Sequence, residues 1–194
     1  LGKIYYLGQY VSRDINKSVY YLTLSANQNN LYAQYLLGKI YYLGQYVSRD
    51  INKSVYYLTL SANQNNLYAQ YLLGKIYYLG QYVSRDINKS IYYLTLSSNQ
   101  NNSDAQYLLG KIYCDGEYIS RDINKSINFL TLSSNQNNSD AQCLLGKIYF
   151  EGKYFEKCIQ KSIHYFKESS CFYNSVAKNY LGIIYKNGDG VEKN

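Results

Sequence analysis

The chain has 194 residues, long enough to bury a real core, and holds 28 Tyr and 21 Asn but no Trp, Met or Pro. At 46% hydrophobic residues it is too apolar for a disordered chain, yet Lys, Asn or Ser breaks every apolar run well short of the about 20 residues that a membrane-spanning helix needs. The net charge of +7 leaves room for a polyanionic partner. The missing Met leads us to expect a processed chain or a piece of a longer protein. No cleavable signal segment is visible, and the absence of Pro suits uninterrupted helices.

Taken in chain order, the elements repeat. The string LGKIYYLG starts at Leu1, Leu37 and Leu73, with degraded copies from Leu109, Leu145 and Leu181, a period of 36 residues. Residues 1–36 and 37–72 are identical, so only the later, diverged copies show what a position tolerates. The expected units are 1–36, 37–72, 73–108, 109–144, 145–180 and a partial 181–194. Within a unit, 67–79 carries a helical stripe of Ala69, Leu73, Ile76 and Tyr77. Gly80 follows the last turn, as do Gly8, Gly44, Gly116, Gly152 and Gly188 in their copies, each suited to a left-handed helix end. Asp86 predicts the cap of a second helix running to about Asn99, and Asn101 or Asn102 supplies the next turn. Ser103-x-x-Gln106 and Ser139-x-x-Gln142 read as capping boxes opening the next first helices. Short connections make the helices antiparallel neighbours, and pairs this small must stack to bury their faces. The expectation is an all-α solenoid of helix-turn-helix repeats. Ala33, Ala69, Ala105 and Ala141, with Gly38, Gly74, Gly110 and Gly146, should permit close helix approach.

The order Ala69-Gln70-Tyr71-x-Leu73-Gly74-x-x-Tyr77-x-x-Gly80, then Asp86-x-x-Lys89-Ser90-x-x-Tyr93, resembles the Sel-one-like repeat, a relative of the tetratricopeptide repeat. The likeness spans the whole chain and implies a right-handed α-α superhelix. The last copy, with Gly188, Gly190 and Val191, fits best. Elsewhere Tyr10, Tyr46, Tyr82, Tyr118 and Tyr154 stand at the family's second loop glycine, which puts the loop conformation in question. Ser18, Ser54, Ser90, Ser126 and Ser162 stand where the family prefers Ala, a small-for-small exchange. In this frame Leu1 lies inside a first helix and Asn194 where a second would be capped, again the expectation for a fragment. The resemblance implies a non-catalytic scaffold or adaptor that gathers other proteins in its groove. A cytoplasmic location is the leaning, although the family also occurs in secretory and membrane-associated proteins.

Divergence sorts the tyrosines. The position of Tyr5, Tyr41, Tyr77, Tyr113, Tyr149 and Tyr185 never changes, and that of Tyr21, Tyr57 and Tyr93 accepts only Phe129 and Tyr165; both read as core. Tyr20, Tyr56 and Tyr92 become Asn128 and His164, while Tyr32 and Tyr68 become Asp104 and Asp140, so these read as wet. Exposed tyrosines suit interaction surfaces, and with Lys39, Lys75, Lys111, Arg49 and Arg85 they are the candidate partner contacts. The same Lys/Arg and Tyr ladders could hold a nucleic acid or another polyanion, the lesser alternative, since a duplicated unit with a surplus Lys simply duplicates its surplus. A second alternative attaches the repeats to a catalytic, kinase-like domain outside this chain. Cys114, Cys143, Cys158 and Cys171 form no C-x-x-C pair and His164 has no second His, so no metal or cofactor site is expected. Cys158 replaces a capping Asp between Lys157 and Lys161, surroundings that lower a thiol pKa, and is the weak candidate for a reactive thiol. The Asn-x-Ser sequons at Asn16, Asn52, Asn88, Asn124, Asn101 and Asn137 follow from an Asn- and Ser-rich unit.

Overall fold

A computed structural model of the chain describes residues 1–8, 12–45 and 47–188. Tyr10, Tyr46, Gly190 and Val191 lie outside the described residues. The described residues form eleven helices and no strand. First helices are α1 (Gly2–Leu7), α3 (Leu31–Leu43), α5 (Leu67–Leu79), α7 (Ser103–Asp115), α9 (Ser139–Glu151) and α11 (Ser175–Asn187). Second helices are α2 (Ile15–Asn27), α4 (Ile51–Asn63), α6 (Ile87–Ser98), α8 (Ile123–Ser134) and α10 (Ile159–Cys171). They gather into two compact units, Leu1–Gln100 and Asn101–Asn194. None is long and apolar enough to cross a membrane.

The helix ends follow from their capping chemistry. Gly44, Gly80, Gly116 and Gly152 adopt φ of 61–63° just past the first helices, and each N–H closes on the Ile carbonyl four residues back. Asp14, Asp50, Asp86 and Asp122 cap the second helices, accepting the N–H of Lys17, Lys53, Lys89 and Lys125 at 2.9–3.0 Å. Those N–H groups hold the four carboxyls below their ordinary value, and the lysine ammonium groups add to the effect. The capping boxes are corrected. Asn102 and Asn138, not Ser103 and Ser139, are the N-caps of α7 and α9, accepting the N–H of Ala105 and Ala141. Asn101 and Asn137 take the left-handed turn just before, at φ 61° and 62°.

Packing within each pair depends on glycine. A Cβ on Gly38, Gly74 or Gly110 would stand 2.5–2.6 Å from the Cγ of Leu58, Leu94 or Leu130, all three fully buried leucines. Three serines at the family's Ala position do more than fill space: Ser18, Ser54 and Ser162 donate to the carbonyls of Gly2, Gly38 and Gly146 at 2.8–3.0 Å. A second set ties the far ends of the pair, with Ser61, Ser97, Ser133 and Ser169 donating to the first-turn carbonyls of α3, α5, α7 and α9 at 2.7–2.8 Å. Those seven hydroxyls are thereby satisfied across the helix interface, whereas Ser90 and Ser126, in the register of Ser54, make no such bond to Gly74 or Gly110.

The two invariant aromatic positions form a stacked pair in every unit. Tyr5–Tyr21, Tyr41–Tyr57, Tyr77–Tyr93, Tyr113–Phe129 and Tyr149–Tyr165 have centroids 5.9–6.2 Å apart and rings within 7° of parallel. They form the margin of the core rather than its centre: Tyr149 is buried, while the rest are half-buried, with Tyr41, Tyr57, Tyr77, Tyr93 and Tyr165 packed against the buried clusters. The reason is a cation. Lys17, Lys53, Lys89, Lys125 and Lys161 each place Nζ 5.1–5.7 Å from the first-helix ring of the pair, covering a face that would otherwise need protein.

Candidate interaction surface of the first helices

In the unit of residues 1–100, α3 and α5 pack side by side and present the same stripe. Helical spacing puts Tyr32, Tyr35, Leu36, Lys39 and Leu43 on one face of α3, and Tyr68, Tyr71, Leu72, Lys75 and Leu79 on the matching face of α5. Tyr32 and Tyr68 are 66% and 54% exposed. Tyr68 leans on Tyr35 at 5.8 Å, so the aromatic strip runs from one helix to the next. Burial, with the neighbouring Tyr68 phenol, pushes the Tyr35 hydroxyl pKa up.

Charge on this face is one-sided. Residues 1–100 contain nine Lys or Arg against three carboxylates, Asp14, Asp50 and Asp86. All three pair with the Lys of their own cap at 3.3–3.4 Å. Among the described residues Lys39 and Lys75 pair with no carboxylate, and their stems are partly buried against the stripe.

The corresponding face of residues 101–188 has diverged into a recess of about 330 Å³ lined by Tyr107, Lys111, Asp115, Asp140, Cys143 and Lys147, among others. Cys143 stands where Tyr71 fills the earlier unit, and Asp140 where Tyr68 does. Asn174 donates to Asp140 at 3.5 Å, and Asn138 to Asp104 at 3.1 Å. Burial raises the Asp115 carboxyl and the Cys143 thiol above their ordinary values.

The remaining candidates lie elsewhere. Tyr20, Tyr56 and Tyr92 are 59–60% exposed on the second helices, set edge-on to Tyr21, Tyr57 and Tyr93 at 5.1–5.2 Å. Tyr92 shares a separate recess of about 320 Å³ with Asn63, Asn65 and Gln70. Arg49 is engaged in holding the fold. Its guanidinium donates to the Tyr42 and Leu43 carbonyls at the end of α3, lies 4.4 Å over the Tyr82 ring and donates to its hydroxyl. Arg85 likewise donates to the Leu79 carbonyl, and Arg121 lies 3.9 Å over Tyr154. Tyr82 and Tyr154, two of the tyrosines at the family's second loop glycine, therefore serve as platforms for an arginine of the preceding repeat. Cys158 occupies the N-cap of α10 without a side-chain cap bond, and its N–H donates to the Tyr149 carbonyl. The flanking Lys157 and Lys161 lie over Phe150 and Tyr149. His164 faces Glu168 at 3.5 Å. All four cysteines are free.

A buried amide network escaped the sequence reading. Gln34 and Gln70 reach back to the carbonyls of Ala26 and Ala62 and to Asn29 and Asn65, and receive Gln64 and Gln100 at 2.7–2.8 Å. Gln136 donates to Gln106 in the same way. The signal was available: a Gln follows the close-packing Ala in four successive copies.

Helix-turn-helix pairs with the same caps, the same glycine contact and the same amide bridges, repeated every 36 residues, define an α-solenoid repeat protein. The chain belongs to the Sel1 repeat family, whose model matches residues 1–30, 31–66, 67–102, 103–138, 139–171 and 175–194. Repeats of this family commonly mediate protein–protein interaction. The chain is similar to c5321, a protective antigen present in uropathogenic Escherichia coli strains with an SLR fold (30% identity, TM-score 0.92, all of this chain and 41% of that one). It thus spans less than half the length of that protein. It is also similar to a Sel1 repeat protein from Oxalobacter formigenes (28% identity, TM-score 0.88, all of this chain and 79% of that one). The Helicobacter pylori cysteine rich protein B shares the fold (20% identity, TM-score 0.53, 71% of this chain and 98% of that one). No curated relative matches in sequence.

Proposed function

We propose that this chain is a scaffold that binds other proteins on the first-helix face, with Tyr32, Tyr68, Lys39 and Lys75 as contacts and Lys111 in the corresponding recess of residues 101–188. One observation carries the reading. Tyr32 and Tyr68 stay more than half exposed, although the same positions hold Asp in later copies. Tyrosine there is not required by the fold. Large, stiff, amphipathic rings in water are what protein-binding surfaces use. Tyr20, Tyr56 and Tyr92 offer a second, separate contact strip on the second helices. Arg49 and Arg85 act through the fold rather than through a partner.

The test is quantitative capture of partners from the source cell's lysate by the immobilised chain. A Y32A/Y68A/K75A variant should lose most of the capture, and a Y56A/Y92A variant should lose a different subset or none. Capture unchanged by both variants would sink the scaffold reading.

A further inference from the structure

Resting on that reading, we infer that the first-helix face of residues 31–79 is built for an acidic polypeptide segment in extended conformation. Its carboxylates would meet Lys39 and Lys75, and its apolar or aromatic side chains would lie on the Tyr/Leu stripe.

The charge ledger points this way. Every carboxylate of residues 1–100 is already held by its capping lysine, so Lys17, Lys53 and Lys89 are spoken for. Arg49 and Arg85 donate to helix-end carbonyls. Lys39 and Lys75 are left beside exposed tyrosine, with no acid on either first helix. Half-buried cations without a carboxylate partner on an aromatic face recruit anions, and a face without acids does not repel them.

Spacing narrows the ligand. Lys39 and Lys75 are one repeat apart on neighbouring parallel helices, roughly 10 Å if the helices pack normally. An extended chain advances about 3.3 Å per residue, so acids at every third position match the two ammonium groups. The residues between would project onto Tyr35, Tyr68 and Tyr71. A nucleic acid fits less well. Lys3, Lys39 and Lys75 are the equivalent cations of the three first helices of this unit, whereas tight phosphate-backbone binding draws on about 6–10 such contacts. The Tyr68 ring, moreover, already packs on Tyr35 rather than standing free for a base.

The chain supplies its own control. In residues 101–188 the same face carries Asp115 and Asp140 beside Lys111 and Lys147. That mixture offers a polyacid no comparable net attraction.

The experiment is fluorescence anisotropy of the full chain with a labelled 12-residue peptide of Glu-Tyr-Ser repeats. The controls are the Lys-Tyr-Ser counterpart, an oligothymidylate of equal length and heparin. The acidic peptide should bind and the basic one should not. Both K39A/K75A and Y32D/Y68D should weaken binding tenfold or more, while K111A/K147A changes it less than twofold. Y32D/Y68D places at each site the residue that later copies carry, and a melting curve matching the parent verifies its fold. Failure of the peptide to bind, equal loss from K111A/K147A, or binding of oligothymidylate or heparin at least as tight would each overturn the inference. Should the peptide fail while Y32A/Y68A/K75A still abolishes lysate capture, the scaffold reading stands and the acidic ligand falls.

Discussion

At Gly74 an added methyl would meet Leu94 Cγ at 2.6 Å and Cδ2 at 2.8 Å, inside a fully buried contact. Gly182 occupies the same register in the last first helix and meets nothing within 4 Å. The two positions therefore separate packing from backbone cost. G74A should destabilise by about 1–3 kcal/mol through overpacking. G182A should be neutral or stabilise by up to about 1 kcal/mol, since alanine is the better helix former. Thermal or urea unfolding of the two variants beside the parent checks both, and equal effects would refute the glycine argument. The glycine contact was legible in the sequence because Gly recurs at that register in each copy. The serine hydroxyl bonds to Gly2, Gly38 and Gly146 were not, because a hydroxyl aimed across an interface leaves the same small-residue pattern as alanine.

Among elements, the second helices all open on Ile but differ in the N-cap before it. α2, α4, α6 and α8 carry a capping Asp, whereas α10 has Cys158 as its N-cap with no side-chain cap bond. C158D should supply the missing acceptor for the Lys161 N–H and raise stability by about 1 kcal/mol. The other capping carboxyls have folded values depressed below their ordinary 3.8. A depressed folded pKa gives stability that is present above the unfolded value and lost as pH falls through the folded one. The advantage of C158D should therefore be full at pH 6 and be lost as pH falls below 3.8 and on through the depressed folded value, as melting temperatures of both proteins across that range would show. An advantage that persists in acid would mean that the gain is not the cap. The bounds of α5, 67–79, were readable because Gly80 and Asn66 punctuate both ends. The caps of α7 and α9 were misread by one residue. Ser-x-x-Gln imitates a capping box while the Gln side chain is drawn into the amide network, as when Gln106 accepts from Gln136. Long-range partners of that kind leave no local signature.

Across the whole molecule, excess charge is concentrated in the first half: nine Lys or Arg against three acids in residues 1–100, and eleven against ten in 101–194. Repeats that contact chiefly their neighbours also make stability local rather than global. Hydrogen exchange should show G38A, which strains the Leu58 contact, raising exchange in 31–66 and adjacent helices. Residues 139–171 should keep their protection within about twofold. Uniform loss of protection along the chain would instead show one cooperative block. The candidate face was partly legible at this scale, since divergence picked out Tyr32 and Tyr68. The Asp86 cap also placed Tyr92, and with it Tyr20 and Tyr56, on second helices, whereas the use of Arg49 as a helix-end clamp required the packing to be seen.

The stacked aromatic pairs also give the protein a built-in optical reporter. With no Trp, its near-ultraviolet signal comes mainly from tyrosine, and four of the five stacked pairs join two phenols held nearly parallel. Rings fixed in asymmetric packing are dichroic, so each closed repeat adds a contribution that disappears when its two helices part. The Tyr113–Phe129 pair lacks the second phenol and contributes weakly. Near-ultraviolet dichroism should therefore follow repeat opening without any label, with a smaller share from the repeat holding α7 and α8.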